Sequence, residues 1–127
     1  MNKSHLSFDE ECQFIKGVEL FNKSEWYLAH DIFEEIWHNI SGLERITIQA
    51  ILQIAVAEVH LENGNLSGAV ILYGEGFGRI INNDLPNLGI DLKSFSLDVE
   101  KRFRTLQCGG SLEEIKLPKL IKISNSI

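Results

Sequence analysis

The pattern of apolar and polar positions predicts a chain of amphipathic helices. Apolar residues recur at three- and four-residue spacing, which is the period of a helix with one buried face. Five stretches have this period, at about 8–22, 25–39, 43–62, 66–82 and 92–107. The spacing therefore predicts an all-α fold, a compact bundle of about five helices over residues 8–107, with a C-terminal tail over residues 108–127.

Short polar motifs mark where these helices begin. In a capping box, S-x-x-E, the serine and glutamate side chains bond the free backbone N–H groups of the first turn. Three pairs have this spacing: Ser7 with Glu10, Ser41 with Glu44, and Ser111 with Glu114. Asn65 and Asp91 stand directly before the fourth and fifth stretches and are good N-cap residues.

The third stretch is the predicted centre of the fold. Ile46–Glu62 is apolar in nearly every helical direction, so we expect neighbours to bury it on several sides. Gln49, Gln53 and His60 interrupt it and share one side of the helix. A shift of 40 residues aligns the start of the second stretch with that of the fourth, which indicates two related helical hairpins.

Composition and charge narrow the class of protein. A chain of 127 residues with 44% hydrophobic residues fits a single globular domain. The net charge of −6 disfavours nucleic-acid binding, which relies on neutralising phosphates. Polar residues interrupt the central stretch, so we expect no membrane span. The N-terminus lacks a long apolar run, and Cys12 and Cys108 form no pattern, so a cytoplasmic location is expected.

Two neighbouring stretches carry the candidate site. His30, Glu34 and Trp37 follow one another at i, i+4 and i+7 on the second helix. Gln53 and His60 stand at i and i+7 on the third helix. A short turn joins these helices, so they should be antiparallel neighbours. Their polar side chains are then expected to converge into a ligand-binding cluster.

Four interpretations of this cluster stay open. It is a hydrogen-bonded structural network, a pocket for a small molecule or a protein segment, a metal site, or a metal-free catalytic site. In the catalytic case the enzyme is a hydrolase, with His30 or His60 as base, Glu34 as the orienting carboxylate and Gln53 as a donor to substrate. No complete metal signature is present; the residues that would ligate a metal are His30, Glu34 and His60. No cofactor is indicated, and the apolar surface of the first and fifth helices leaves a homodimer open.

Several other features have simpler explanations. Gly74–Gly78 is not a phosphate-binding loop, because no strand precedes it and no lysine follows in position; it predicts close helix packing. Lys101–Arg104 predicts a solvated helix face, and Arg79 a surface arginine. Trp26 and Tyr27 stand at the start of the second helix and are expected to cover the hairpin turn; half-exposed rings there would instead indicate a partner surface.

Two strings resemble a known family. ELFNKSEWYLAHDIFEEIW and QAILQIAVAEVHLENGNLSGA are similar to the motifs of the small all-helical family catalogued as domain of unknown function number 309. The matching residues are Phe21, Asn22, Tyr27, Ala29, His30, Glu34, Trp37, Gln49, Gln53, Ala55, His60, Gly64, Asn65, Gly68 and Ala69. The resemblance implies an all-helical bundle and no established activity. The chain departs from the family pattern at Ser24, where a turn glycine is usual, and at Leu28, where an acidic residue is usual.

Overall fold

The computed structural model describes residues 6–123, and these form five helices. The helices are α1 (Phe8–Asn22), α2 (Trp26–Asn39), α3 (Gly42–Glu62), α4 (Leu66–Ile81) and α5 (Leu92–Gln107). Each bound lies within one residue of the predicted one. The all-α fold class is confirmed.

The predicted helix starts are confirmed at three of the polar motifs. Ser7 and Glu10 form both bonds of a capping box. The side chains of Asn65 and Asp91 accept the backbone N–H groups of the third residues of α4 and α5, each at 3.0 Å.

The other two pairs do not form a capping box. The Ser41 side chain makes no capping bond, and Gly42 enters α3 with a φ of 74°, outside the helical region. The Ser111 hydroxyl accepts the N–H of Glu113 and not of Glu114, and the one short turn that this spacing allows follows it. Matching residue types are therefore not sufficient for a cap, because the backbone must also bring the two groups together.

The helices pack in chain order, each against the next, and close around an aromatic core. Phe21 joins three parts of this core: its ring lies edge-on against Trp26 at 4.9 Å and Phe95 at 5.8 Å between centroids. Trp26 is 3% exposed and covers the hairpin turn, which is the commoner of the two expected roles. It faces inward because it begins α2 directly over the end of α1. Tyr27 beside it is 67% exposed.

The turn from α1 to α2 contains an unusual backbone conformation. Ser24 has a φ of 62°, in the left-handed region that glycine adopts without cost. The glycine that the family resemblance implies at this position fits that conformation. The serine therefore keeps the turn geometry at some cost in backbone strain.

Close contact between α3 and α4 requires a glycine on α4. A Cβ added to Gly76 would lie 2.8 Å from Cδ1 of Ile54 and 3.1 Å from the backbone oxygen of Ala50. The close packing predicted for the glycine-rich stretch is confirmed at this residue. It sets how closely the two helices approach each other.

The C-terminal segment packs against the bundle. Pro118 and Leu120 are buried, and the amide group of Asn22 bonds both the N–H and the oxygen of Leu120, at 2.8 and 2.9 Å. Ile90 and Lys122 form an isolated antiparallel bridge. Residues 124–127 of the predicted tail lie outside the described residues.

Neighbours bury α3 on several sides, as expected, but part of its circumference is half exposed. None of the five helices is long and apolar enough to cross a membrane.

Candidate functional site

The half-exposed residues of α3 share one side of the helix. At about 100° per residue they cover an arc of about 140°, and the buried positions occupy the opposite side. The half-exposed residues are Arg45, Ile46, Gln49, Leu52, Gln53, Val56, Val59 and His60. We call this arc the open face of α3. It results from chain order, since α2 and α4 flank α3 while the core side of α3 is closed.

At one end of the open face, α2 and α3 enclose a shallow cavity. It has a volume of about 140 Å³ and is lined by Tyr27 and His30 of α2 and by Val56 and Val59 of α3. Two of these side chains are aliphatic and one is an exposed aromatic ring. This end of the face is therefore mainly apolar.

The predicted site residues of α2 interact with each other and with their own helix. The His30 Nδ1 lies 3.2 Å from Oδ1 of Asp31, and its Nε2 lies 3.7 Å from Oε2 of Glu34. The Glu34 side chain is 48% exposed. At that distance and exposure the carboxylate interacts only weakly with the imidazole.

Gln53 bonds α4 instead of α2. Its Nε2 donates to Oε1 of Glu75 at 2.8 Å, and its Oε1 accepts from Nε of Arg79 at 2.9 Å. Arg79 is thus half buried and bonded across a helix pair, so the prediction of a plain surface arginine is wrong. One amide holds a carboxylate and a guanidinium one turn apart on α4.

His60 interacts with the turn that follows α3. Its Nδ1 lies 3.1 Å from Nδ2 of Asn65, the residue that caps α4. The imidazole therefore supports the hairpin turn. It also lies on the open face, at the end opposite Arg45.

Trp37 lies at the other end of the face, under Arg45. The guanidinium carbon of Arg45 is 3.7 Å from the indole centroid, and its Nε donates to the backbone oxygen of Trp37 at 3.2 Å. The indole Nε1 is buried and has no acceptor within residues 6–123. Buried donors are usually bonded, so this group is an exception.

The five predicted residues therefore lie along one face but do not form the expected cluster. Val56 and Val59 lie between His30 on the α2 side and the two predicted residues of α3, whose partners belong to α4 and its cap. No group of three His, Cys, Asp or Glu side chains in the described chain is placed to hold a metal ion. Their role in ligand binding stays a prediction.

The sequence reasoning missed a buried ionic network on the opposite side of α3. Arg102 donates from Nε to Oε2 of Glu58 at 2.8 Å and from its NH2 group to Oε1 at 3.0 Å. Tyr73 donates its hydroxyl to Glu58, and Arg102 also bonds the oxygen of Ile115 at 3.1 Å. Arg102 was predicted on a solvated face, which is wrong.

Burial and charge set the protonation of this network. Burial, followed by the nearby Glu58 carboxylate, raises the pKa of the Tyr73 phenol well above its usual value. Burial by itself lowers the pKa of the Arg102 guanidinium. The interactions with Tyr73 and Glu58 outweigh this effect, so the pKa is raised. All three side chains are sealed from solvent, so the network holds α3, α4 and α5 together and is not a binding site.

The sequence contained a signal for this network. Arg102 follows Phe95 and Val99 at i+7 and i+3, which places it on the inward stripe of α5. Glu58 interrupts the apolar run of α3 on its buried side. An acid and a base at inward positions of neighbouring helices predict a buried pair.

The family match covers the whole open face of α3. Residues 14–72 match DUF309, a domain of unknown function. The resemblance expected from the motifs is thereby confirmed. No curated protein matches the chain.

The DUF309 segment includes α2, α3 and the first part of α4. It contains the five predicted site residues and leaves out Glu75, Arg79 and Arg102. The match assigns no biochemical activity, and neither the family nor the geometry favours a hydrolase.

A larger apolar cavity lies elsewhere. It has a volume of about 290 Å³ between α1 and the segment before α5, and Leu6 and Lys122 also line it. Its walls are contributed in part by residues beyond the DUF309 segment. The open face is the better candidate, since three residues of the family motifs, Gln49, Gln53 and His60, lie on it.

Proposed function

We propose that the protein is a non-catalytic binding module that holds a segment of a partner protein on the open face of α3. The observation that carries the proposal is the partial exposure of Leu52, Val56 and Val59 along a helix whose other side is sealed. Partly exposed apolar residues between two flanking helices are typical of sites that accept an amphipathic helix. The exposed ring of Tyr27 extends the apolar surface on the α2 side.

The placement of the polar groups supports binding over catalysis. A general base needs a partner that fixes its orientation at hydrogen-bond distance. The carboxylate at hydrogen-bond distance from His30 is Asp31, which is 58% exposed and therefore holds the imidazole only weakly. Glu34, the orienting residue of the hydrolase interpretation, is 3.7 Å away and half exposed, and Gln53 is occupied by Glu75 and Arg79. These groups are suited to line the edge of a binding surface and give it specificity.

We further propose that the protein acts in the cytoplasm. Cys12 and Cys108 are exposed free thiols, as is usual in a reducing compartment. A protein partner is preferred to nucleic acid because the chain carries a net charge of −6.

A peptide selection tests the proposal. A displayed library of random peptides of about 16 residues, long enough to follow α3 as a helix, is selected against the purified chain. Enriched peptides are then titrated against Tyr27→Ala and against the control Leu97→Ala. Both residues are exposed apolar side chains, at 67% and 60%, but Leu97 lies on α5 away from the face.

We expect Tyr27→Ala to weaken the selected peptides by about tenfold, and Leu97→Ala to leave their affinity unchanged. Equal effects of the two substitutions, or a selection with no enrichment, would overturn the proposal. Sedimentation of the chain alone is measured first, because a homodimer that closes over the same face would compete with the peptides. In that case Tyr27→Ala also shifts the dimer to monomer.

A further inference from the structure

We infer that the partner segment is an amphipathic helix with carboxylates at one end and apolar side chains along the remainder. The inference rests on the proposed function and specifies the chemistry of the partner. It follows from how charge is distributed along the open face of α3.

The two halves of the face differ in character. Arg45 stacks on Trp37 at the start of α3, and Arg79 reaches Gln53 near its middle, because α3 and α4 run antiparallel. The second half of the face contains Val56 and Val59 beside Tyr27. A segment bound along the face would therefore contact two guanidinium groups at one end and an aliphatic surface at the other.

Both guanidinium groups are held in place by their Nε atoms. Arg45 uses Nε to bond the backbone oxygen of Trp37, and Arg79 uses Nε to bond Gln53. Neither forms an ion pair with a carboxylate among residues 6–123. The terminal NH groups of both side chains are therefore available to an acceptor on a partner, and a carboxylate matches them best.

The acidic residues of α3 do not oppose this charge. Glu44 and Glu58 lie on the buried arc and Glu62 lies outside the open arc at the end of the helix, so the open arc of α3 carries Arg45 and no carboxylate. Glu34 and Glu75 flank the face from α2 and α4, and the amide of Gln53 binds Glu75. These two glutamates balance the charge of Arg45 and Arg79, but on α3 itself the open arc is positive.

The length of the face fits a helix. From Arg45 to His60 it extends about 22 Å, which corresponds to a helical segment of about 15 residues.

The test uses the peptides obtained by selection, which separates this inference from the proposed function. Each enriched peptide is synthesised with its acidic residues intact and with glutamine at those positions. Both forms are titrated against the native chain, Arg45→Gln, Arg79→Gln and the control Arg104→Gln. The Arg104 side chain is 60% exposed on α5, outside the face. Thermal melts confirm that each variant is folded.

We expect acidic residues to be enriched near one end of the selected peptides. Arg45→Gln and Arg79→Gln should each weaken an acidic peptide by about fivefold, and Arg104→Gln should have no effect. The affinity of the native chain should fall as salt rises from about 50 to about 500 mM, and the glutamine peptides should lose this dependence.

Peptides that require Tyr27 but lack acidic residues, and that bind equally well in high salt, would overturn the inference and leave the proposed function standing. A selection without enrichment would overturn both. The salt measurement needs no variant, so it decides the question even if an arginine substitution unfolds the chain.

Discussion

Arg102 joins all the members of the buried ionic network. Its guanidinium bonds both oxygens of Glu58, the hydroxyl of Tyr73 and a backbone oxygen of the C-terminal segment. Buried ion pairs gain little over apolar residues of the same shape, but removal of one partner is costly because the other charge stays buried and alone. The network therefore makes the assembly of α3, α4 and α5 sensitive to a change in any one of its members.

Arg102→Met tests this dependence. The substitution leaves the Glu58 carboxylate buried without its cation, and we expect a loss of about 3–5 kcal/mol in the free energy of unfolding. Urea denaturation of both proteins measures the loss. Arg104→Met, on the exposed side of the same helix, should cost less than about 0.5 kcal/mol. A loss below about 1 kcal/mol for Arg102→Met would contradict the account.

The raised pKa of Tyr73 predicts how the free energy of unfolding changes at alkaline pH. Its pKa in the folded chain is raised, chiefly by burial, so the folded state keeps the phenolic proton when the unfolded chain releases it. The contribution is fully present below the ordinary tyrosine pKa of about 10 and is lost as the pH rises above that value. Unfolding free energies measured between about pH 9 and 11 should fall more steeply for the native chain than for Tyr73→Phe. Equal slopes would show that Tyr73 is not responsible.

The helices themselves follow from local sequence. The bounds of α1 to α5 were predictable because spacing and caps are local properties, and the Asn65 and Asp91 caps act within three residues. The open face of α3 was not predictable, since which side of a helix stays uncovered depends on how distant helices pack. The packing of α2 against α3 was predictable from the short turn that joins them. The partners of the candidate residues were not, because Gln53 pairs with residues more than 20 positions away.

Two glycines of α4 provide a matched test of how α3 and α4 pack. At Gly76 an added methyl group would overlap Ile54 and the backbone of Ala50, so Gly76→Ala should lower the free energy of unfolding by about 1–3 kcal/mol. At Gly78 the nearest atom would be Nδ2 of Asn82 at 3.8 Å, so Gly78→Ala should raise it by about 0.5–1 kcal/mol through helix propensity. Thermal melts compare the two variants. If both substitutions changed the free energy of unfolding in the same direction, the contact at Gly76 would not be what limits the approach of α3 and α4.

At the scale of the whole molecule, the C-terminal segment connects α1 with α5. Lys119 donates from Nζ to the backbone oxygen of Asn22 at 2.7 Å and from its own N–H to Asp98 at 3.2 Å. Asn22 in turn bonds Leu120 through both ends of its amide. The sequence suggested a tail that covers the bundle, but these contacts join residues almost 100 positions apart and leave no periodic signal.

Asn22→Ala removes the two bonds to Leu120. The substitution should lower the free energy of unfolding by about 1–3 kcal/mol, because the Leu120 N–H and oxygen lose their partners. Hydrogen exchange provides a local measurement: the Leu120 amide should exchange faster in the variant. Asn39→Ala is the control, since the Asn39 amide bonds a backbone oxygen on an exposed part of α2. If the exchange protection of the Leu120 amide did not change, the Asn22 side chain would not be what holds the C-terminal segment in place.

The cavity of about 290 Å³ beside α1 also brings the two ends of the described chain close together. Leu6 and Lys122 line the same cavity, so a short linker can join these two points. New ends can then be cut in the exposed turn between α3 and α4, at Gly64. Such a circular permutant would keep all five helices and the whole open face of α3, while placing α3 and its neighbour α4 at opposite ends of the chain. It would also allow the domain to be inserted into a surface loop of a host protein as a reporter of peptide binding.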